Sequence, residues 1–391
     1  MKISIVGGGG RVGLPLGVLL SSLGNEVKII DIDEEKNYLI NNRIMPFNEP
    51  GIDLILKSLS KLQLSATSNE SSIRDSEVCI LVIGTPVLPD GKPTAESLVE
   101  LVEKMLPNLA NVKLLILRST VYPGITQRIS ELFYNNKLST KVAFCPERIA
   151  VGKALEELKN LPQIIGVGDD EAYVLATKVF ESLNSNFIRT SFEEAEITKL
   201  FANAYRYINF AIANEFFYIC IDNNIEWENV WKALKQDYPR AQALPVPGFA
   251  AGPCLVKDTQ QLNYFNGGKF RLGVSALEIN ENLPEFILSV LRQKFEIKDL
   301  VIGILGMTFN KDIDDFRSSL SFKLRNLLEL EAKQVLCSDY ILSEAAFVDT
   351  ETLIQRADVV VVATPHSEYR NLHITKPTID IWRISSSRSL I

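Results

Sequence analysis

The first thirty-one residues constrain this chain more than any other stretch. Lys2–Val6 (KISIV) reads as a strand running into Gly7-Gly8-Gly9-Gly10-Arg11-Val12-Gly13; residues 14–23 then read as a helix, and Glu26–Ile30 as a second strand ending at Asp31. Gly8, Gly10 and Gly13 spell G-x-G-x-x-G between strand and helix, with an acid about twenty residues on, as a dinucleotide-binding βαβ unit requires. Glycines there permit a tight turn and the close approach of a pyrophosphate, the helix N-terminus offers unpaired N–H groups, and Asp31 accepts from ribose hydroxyls. An acid at that place favours NAD over NADP. A glycine-rich turn without a ligand would have no need of Asp31.

The alternation continues. Residues 78–83 lead into Gly84-Thr85-Pro86, residues 113–117 into Arg118-Ser119-Thr120, and residues 142–145 into Pro146-Glu147-Arg148. In an open parallel sheet such strand ends face the ligand crevice, so Thr85, Thr120 and Glu147 are candidate contacts; capping or turn chemistry explains each threonine equally well. From Ser191 the pattern turns helical. Ser191 resembles an N-cap with Glu193 and Glu194 in the first turn, and Ile197, Leu200, Phe201, Tyr205, Ile208, Ile212 and Phe216 recur at helical spacing. Lys199 and Asn203, four apart, share one face, and residues 226–234 form a further helix. A second strand-rich unit begins at residues 298–305, without a complete G-x-G-x-x-G, followed by a helix at 318–331 and strands at 334–337 and 359–363. This altered loop suggests a different nucleotide. The polar run 311–317 (KDIDDFR) reads most simply as a solvated loop, and the polar tail 385–391 adds little.

The expected fold class is therefore α/β, with two Rossmann-like doubly wound domains joined by a helical middle domain. The expected boundaries are residues 1–190, 191–295 and 296–391, with subunit contacts of a homodimer or higher homo-oligomer made by the middle helices. Composition narrows the function. The net charge is −7 with no basic block, which argues against a nucleic-acid partner. Apolar runs such as 80–83 and 359–363 are far too short to span a membrane, and a strand directly after Met1 leaves no room for a signal peptide. Five scattered cysteines without CxxC spacing, and only two histidines, point to a reducing cytoplasm and to no metal site.

One of those cysteines stands apart. Residues 247–258, PGFAAGPCLVKD, place Cys254 after a glycine-rich loop and one helical turn before Asp258, with Lys257 between. Gly248 and Gly252, with Ala250 and Ala251, let backbone approach a ligand, and the chain after Pro253 reads as a helix start. A helix N-terminus and a nearby lysine both favour thiolate, the nucleophilic form. An isolated free cysteine is more often an inert core residue, so the rest of the chain must decide.

It does. The loop GGGGRVGLPLG, DID, NEPG at 48–51, GTP, STVYPG, PER, EAEITKLFANAYR, PGFAAGPCLVKD, TFNKDIDDFRSS and TPHSEYR follow in an order that resembles the nucleotide-sugar 6-dehydrogenase family. The resemblance covers almost the whole chain. It implies NAD-dependent oxidation of the C6 alcohol of a UDP-hexose or UDP-N-acetylhexosamine to the uronic acid, through a thiohemiacetal and thioester on Cys254. It implies Lys199 and Asn203 at the C6 oxygen, Asp258 in proton transfer, and Thr120 and Glu147 assisting through water. For the cofactor it implies Gly8, Gly10, Arg11, Val12, Gly13, Asp31, Lys36, Thr85 and Thr120. For the nucleotide sugar it adds Arg240, Phe249, Gly252, Lys257, Phe309, Lys311 and Arg317 to Glu147, Lys199 and Asn203, with His366 supporting. Four features depart from the pattern: Val151 stands where the UDP-glucose enzymes carry a second glutamate, GPCLVKDT lacks the G-G-H-C form common in the N-acetylhexosamine branch, Asn310 stands where a lysine is usual with Lys311 one place later, and the loop at Arg240, which resembles an arginine reaching across the dimer to the substrate, is shorter. The sugar is left open, and two other readings stand beside the leading one: a catalytically silent nucleotide-sugar-binding homologue, and a two-electron hydroxy-acid dehydrogenase that would not need Cys254.

Overall fold

The computed structural model describes residues 1–88, 92–386 and 389–391, so Ser387 and Arg388 of the polar tail lie outside the described residues. The chain divides into two compact units, one of residues 1–202 with 260–268, the other of residues 203–259 with 269–391.

The first unit is built on an eight-stranded sheet. Its strands are β1 (Lys2–Val6), β2 (Glu26–Ile30), β3 (Leu64–Thr67), β4 (Val78–Leu81), β5 (Leu114–Leu117), β6 (Lys141–Phe144), β7 (Gln163–Val167) and β8 (Phe187–Thr190), in the order β3-β2-β1-β4-β5-β6-β7-β8. β4 (VCIL) and β5 (LLIL) are buried along their whole length, as strands covered on both faces must be. Helices on the two faces supply the cover, among them Gly13–Ser22 and Ile125–Asn135, whose Leu14, Val18, Ile125 and Ile129 are fully buried. The order reverses direction at β1 and β4, which places the crevice of an open sheet beyond their C-terminal ends. The sequence reading expects an open parallel sheet, and this one departs from it at one pairing. β7 runs antiparallel to β6, and β8 then pairs parallel to β7. β3 (LSAT) and β8 (FIRT) are short and half polar, too weak a pattern to read beforehand.

The chain passes from the first unit to the second within the helix Phe192–Asp222, 31 residues long. Ser191 caps it as expected: its amide donates to Glu194 Oε2 at 2.8 Å, while the Glu194 amide donates to Ser191 Oγ at 3.3 Å. This reciprocal pair satisfies two orphan donors of the first turn.

The second unit carries a four-stranded parallel sheet. Its strands are β9 (Val301–Leu305), β10 (Gln334–Ser338), β11 (Val359–Val362) and β12 (Thr378–Asp380), in the order β10-β9-β11-β12. One core joins this sheet to the preceding helices: Phe217, Trp227, Leu283, Ile287 and Leu291 pack with Ile302, Ile304, Leu324 and Val361. The middle helices thus gain their hydrophobic cover from the sheet that follows them in sequence. No helix among the described residues is long and apolar enough to cross a membrane.

Candidate active site

The glycine loop after β1 has a separate constraint at each glycine that the motif names. A Cβ on Gly8 would lie 2.7 Å from the Ile5 carbonyl oxygen, and one on Gly13 would lie 2.6 Å from Gly8 Cα, so both are fixed by backbone packing. At Gly10 the nearest atom would be 4.0 Å away, which leaves that face open to a ligand. Asp31, at the end of β2, accepts from the Gly9 amide at 2.8 Å and the Asp33 amide at 3.1 Å, and remains partly exposed with lone pairs to spare. Open backbone at Gly10, amide donors of the helix N-terminus at Val12 and Gly13, and a held carboxylate acceptor are the set of groups that a dinucleotide fits. Arg11 stacks 4.8 Å above the Phe47 ring and donates to the Asn48 carbonyl at 3.3 Å. Lys36 pairs at 2.8 Å with Asp33, the cap of its own helix.

The strand ends on the other side of β1 are cross-braced. Thr85 is buried and donates to the Thr120 carbonyl, while Gln261 Nε2 donates to the Thr85 carbonyl at 3.1 Å. Thr120 itself stays half-buried. Glu147 forms a buried ion pair with Arg118, which also donates to the Cys145 carbonyl and to Gln163. Burial alone would raise the Glu147 carboxyl, but the Arg118 guanidinium and the amides of Arg148 and Ile149 outweigh it and hold it below the usual carboxylate range. Lys199 is half-buried on the long helix, one turn after Glu196. Glu196 is completely buried and accepts from the Gly124 amide (2.7 Å), the Thr126 amide (2.7 Å) and Thr126 Oγ1 (2.6 Å). Those bonds fasten the Lys199 stretch of the helix to the loop that follows Thr120.

In the second unit the structure brings together four of the expected groups. Asn203 Nδ2 donates to Asp258 Oδ2 at 2.5 Å, and Lys257 Nζ lies 2.6 Å from Asp258 Oδ1. Asp258 is 0% exposed, so an ammonium and an amide share one desolvated carboxylate. The Asp258 amide donates to the Cys254 carbonyl at 2.9 Å, which closes the first turn of the helix Leu255–Phe265 and sets Cys254 at its N-terminus. Cys254 is exposed; the other four cysteines are buried. Burial pushes the Cys79 and Cys145 thiols up to about 12 and that of Cys337 to about 11, values at which they are inert. The loop before Cys254 fits its surroundings closely. Gly252 has φ +101°, and a Cβ there would meet the Phe309 ring at 2.6 Å; Phe249 is buried in the core beneath.

The remaining expected contacts lie on loops of the second unit. Phe309 flanks Gly252, Lys311 is exposed, and Arg317 forms a two-point pair with Asp315 at 2.9 and 2.6 Å, within electrostatic range of Cys254. Arg240 sits on an exposed 3-10 turn, 5.8 Å from the Tyr238 ring. His366 is fully buried. Its Nδ1 accepts from the Asp312 amide at 3.0 Å, so the proton rests on Nε2, which faces Asp339 at 3.1 Å and Thr308 at 3.2 Å. Asp339, at the end of β10, corresponds in place to Asp31 at the end of β2 but is spent differently. It accepts from the amides of Met307, Thr308, Ile341 and Leu342 as well as His366, and its side chain is fully buried. This carboxylate has no face left for a ribose, the physical content of the altered loop.

Arg118 and Glu196 were not legible as residues of this region. Each is tied to a partner distant in sequence, and only Glu196 carried a signal, an acid three residues before Lys199. Among the described residues no group of acids, histidines and cysteines could hold a metal.

Family models match most of the chain: residues 1–184 match the NAD binding domain of the UDP-glucose/GDP-mannose dehydrogenase family, residues 193–282 its central domain, and residues 303–385 its UDP binding domain. Among relatives, a UDP-N-acetyl-D-mannosamine dehydrogenase of Methanococcus maripaludis is 31% identical, covering 97% of this chain and 89% of its own. An NDP-N-acetyl-D-galactosaminuronic acid dehydrogenase of Ralstonia solanacearum is 28% identical, covering 95% and 92%. Among solved structures, the UDP-D-ManNAc dehydrogenase of Pyrococcus horikoshii superposes with TM-score 0.90 at 27% identity, covering 100% of this chain and 97% of that one.

Proposed function

Because the chain belongs to the UDP-glucose/GDP-mannose dehydrogenase family, whose members are NAD-dependent oxidoreductases, we propose that it oxidises the C6 alcohol of a UDP-N-acetylhexosamine to the uronic acid. The observation that carries this reading is the exposed Cys254 one helical turn before a buried carboxylate held by Asn203 and Lys257. The choice of an N-acetylhexosamine is supported by the relatives that match over most of both chains, a UDP-N-acetyl-D-mannosamine dehydrogenase and an NDP-N-acetyl-D-galactosaminuronic acid dehydrogenase. The loop at Gly8, Gly10 and Gly13 would hold NAD, with Asp31 on the adenosine ribose, and the bound cofactor would supply the oxidant for both oxidations.

The chain's own residues do the rest. Once the C6 alcohol is an aldehyde, the Cys254 thiolate adds to its carbon: a C–S bond forms and the carbonyl π pair moves onto oxygen. The Lys199 ammonium and the Asn203 amide stabilise that developing charge. After the second oxidation the carbon is a thioester on Cys254. Water adds to it, the oxygen lone pair re-forms the carbonyl, and the C–S bond breaks with its electron pair on sulfur, which restores the Cys254 thiolate and frees the acid, whose proton passes to solvent to leave the carboxylate. Asp258 takes up the proton that water loses. Glu147, held ionised by Arg118, acts with Thr120 to orient that water. In this scheme residues 1–190 hold NAD, residues 296–391 the nucleotide through Phe309, Lys311 and Arg317, and residues 191–295 carry the thiol.

Phe201, Tyr205, Ile212, Phe216 and Ile219 form one exposed stripe along the long helix, which supports self-association as a homodimer. The inert buried thiols and the free Cys254 support a cytoplasmic setting. The test is a panel of UDP- and GDP-sugars assayed for NADH. The expected result is turnover with UDP-N-acetylhexosamines and two NADH per sugar; a yield of one, or turnover confined to GDP-sugars, contradicts the reading.

A further inference from the structure

Asn203 is not the only asparagine of the long helix that grips the thiol loop. Asn214 lies eleven residues on, three turns of an α-helix, so it shares a face with Asn203 at a distance of about 16 Å along the axis. It is 0% exposed. Its Oδ1 accepts from the Gly248 amide at 2.8 Å and its Nδ2 donates to the Gly248 carbonyl at 3.2 Å, a two-point pairing of the kind one strand makes with another. The same Nδ2 also donates to Asn280 Oδ1 at 2.8 Å, and Asn280 Nδ2 donates to the Tyr207 carbonyl at 3.0 Å. This chain fixes both amide orientations, because each amide has its oxygen and nitrogen assigned by a partner that can play only one role. Asn280 is likewise fully buried, and Gly248 has the indole of Trp382 against the place a side chain would take, at 2.4 Å.

We infer that Asn214, oriented by Asn280, is a positioning residue for Cys254. The thiol loop is held at its entry, Gly248, by Asn214 and at its exit, Asp258, by Asn203, and both grips belong to one rigid helix. The reactive sulfur rides between two fixed points set by helix geometry. Its aim is therefore separable from its chemistry. Asn214 touches no reacting atom; what it governs is how fast the thiolate captures the aldehyde before that aldehyde leaves. Capture in place demands a near-attack geometry, and small displacements of such a group cost large factors in rate. Buried amide networks with every group satisfied are suited to that task, since any alternative arrangement strands a polar group in a dry core.

The inference rests on the reading of Cys254 as the nucleophile, and the experiment separates the two. Four variants, Asn214→Ala, Asn280→Ala, Leu324→Ala and Cys254→Ser, are assayed with UDP-N-acetylmannosamine, with NADH, uronic acid and semicarbazide-trapped aldehyde quantified together. Leu324 is a buried core residue of the helix Leu320–Glu329, outside the amide network, and serves as the control for destabilisation alone. Asn214→Ala is expected to cut uronic acid formation at least tenfold, to release trappable aldehyde, and to lower NADH per sugar from two towards one. Asn280→Ala, which leaves the Gly248 pairing atoms in place, is expected to do the same to a smaller extent, and it carries the test should Asn214→Ala not fold. Leu324→Ala is expected to keep two NADH per sugar. Two NADH per sugar and no aldehyde from both asparagine variants overturns the inference, as does an equal leak from Leu324→Ala. Uronic acid made by Cys254→Ser with two NADH overturns instead the reading on which it rests.

Discussion

Lys257 and Asp258 are neighbours in sequence and partners in space, and their pair is buried enough to matter. A surface ion pair contributes little, but removing one member of a buried pair leaves the other charge desolvated and uncompensated. Lys257→Met is therefore expected to lower the unfolding free energy by about 3 kcal/mol, read from denaturant midpoints, and to lower kcat. An unchanged midpoint would show that Asp258 is satisfied without the ammonium. At this scale the sequence was most legible where chemistry is local: Cys254, Lys257 and Asp258 lie within one helical turn, and Lys199 and Asn203 on one face. Arg118 and Glu147 were not readable as a pair, because their contact exists only once β5 and β6 lie side by side.

Elements repeat a device with different endings. In each sheet an aspartate at the end of the second strand of a βα turn ties down the loop after the first, Asp31 to Gly9 and Asp339 to Met307 and Thr308. Burial alone would raise the Asp339 carboxyl; hydrogen bonds from His366 and from the Leu342 and Met307 amides reverse this and hold it below its ordinary value. Stability from a depressed carboxyl is fully present above its unfolded pKa and is lost as pH falls through the lower folded value. The stability difference between the wild type and Asp339→Asn is expected to be largest above about pH 5 and to shrink as pH falls below about 4, read by urea unfolding across that range. A difference constant with pH contradicts the assignment. The parallel elements were legible as apolar runs ending in small polar residues. β3, β8 and the antiparallel turn into β7 were not, since short strands with polar faces leave no periodic signal and pairing direction is decided by tertiary contacts.

For the whole molecule, the order of the motifs carried the fold, because a dinucleotide loop, a long capped helix and a second α/β unit admit few arrangements. What order could not carry is the sugar. A ligand that binds only the folded chain stabilises it by mass action, about 2.7 kcal/mol at a hundredfold excess over Kd. NAD is expected to raise the melting temperature of the wild type, and Asp31→Ala to abolish most of that rise without lowering the melting temperature of the ligand-free chain comparably. An undiminished rise would remove Asp31 from the cofactor site.

The claim on which the rest depends is that Cys254 becomes covalently joined to the sugar carbon between the two oxidations. Peptide mapping by mass spectrometry of Asp258→Asn, quenched in acid during turnover with NAD and UDP-N-acetylmannosamine, tests it most directly. The expected result is an acyl adduct on the peptide containing Cys254, absent from Cys254→Ser. Uronic acid accumulating with that peptide unmodified throughout turnover would contradict the account.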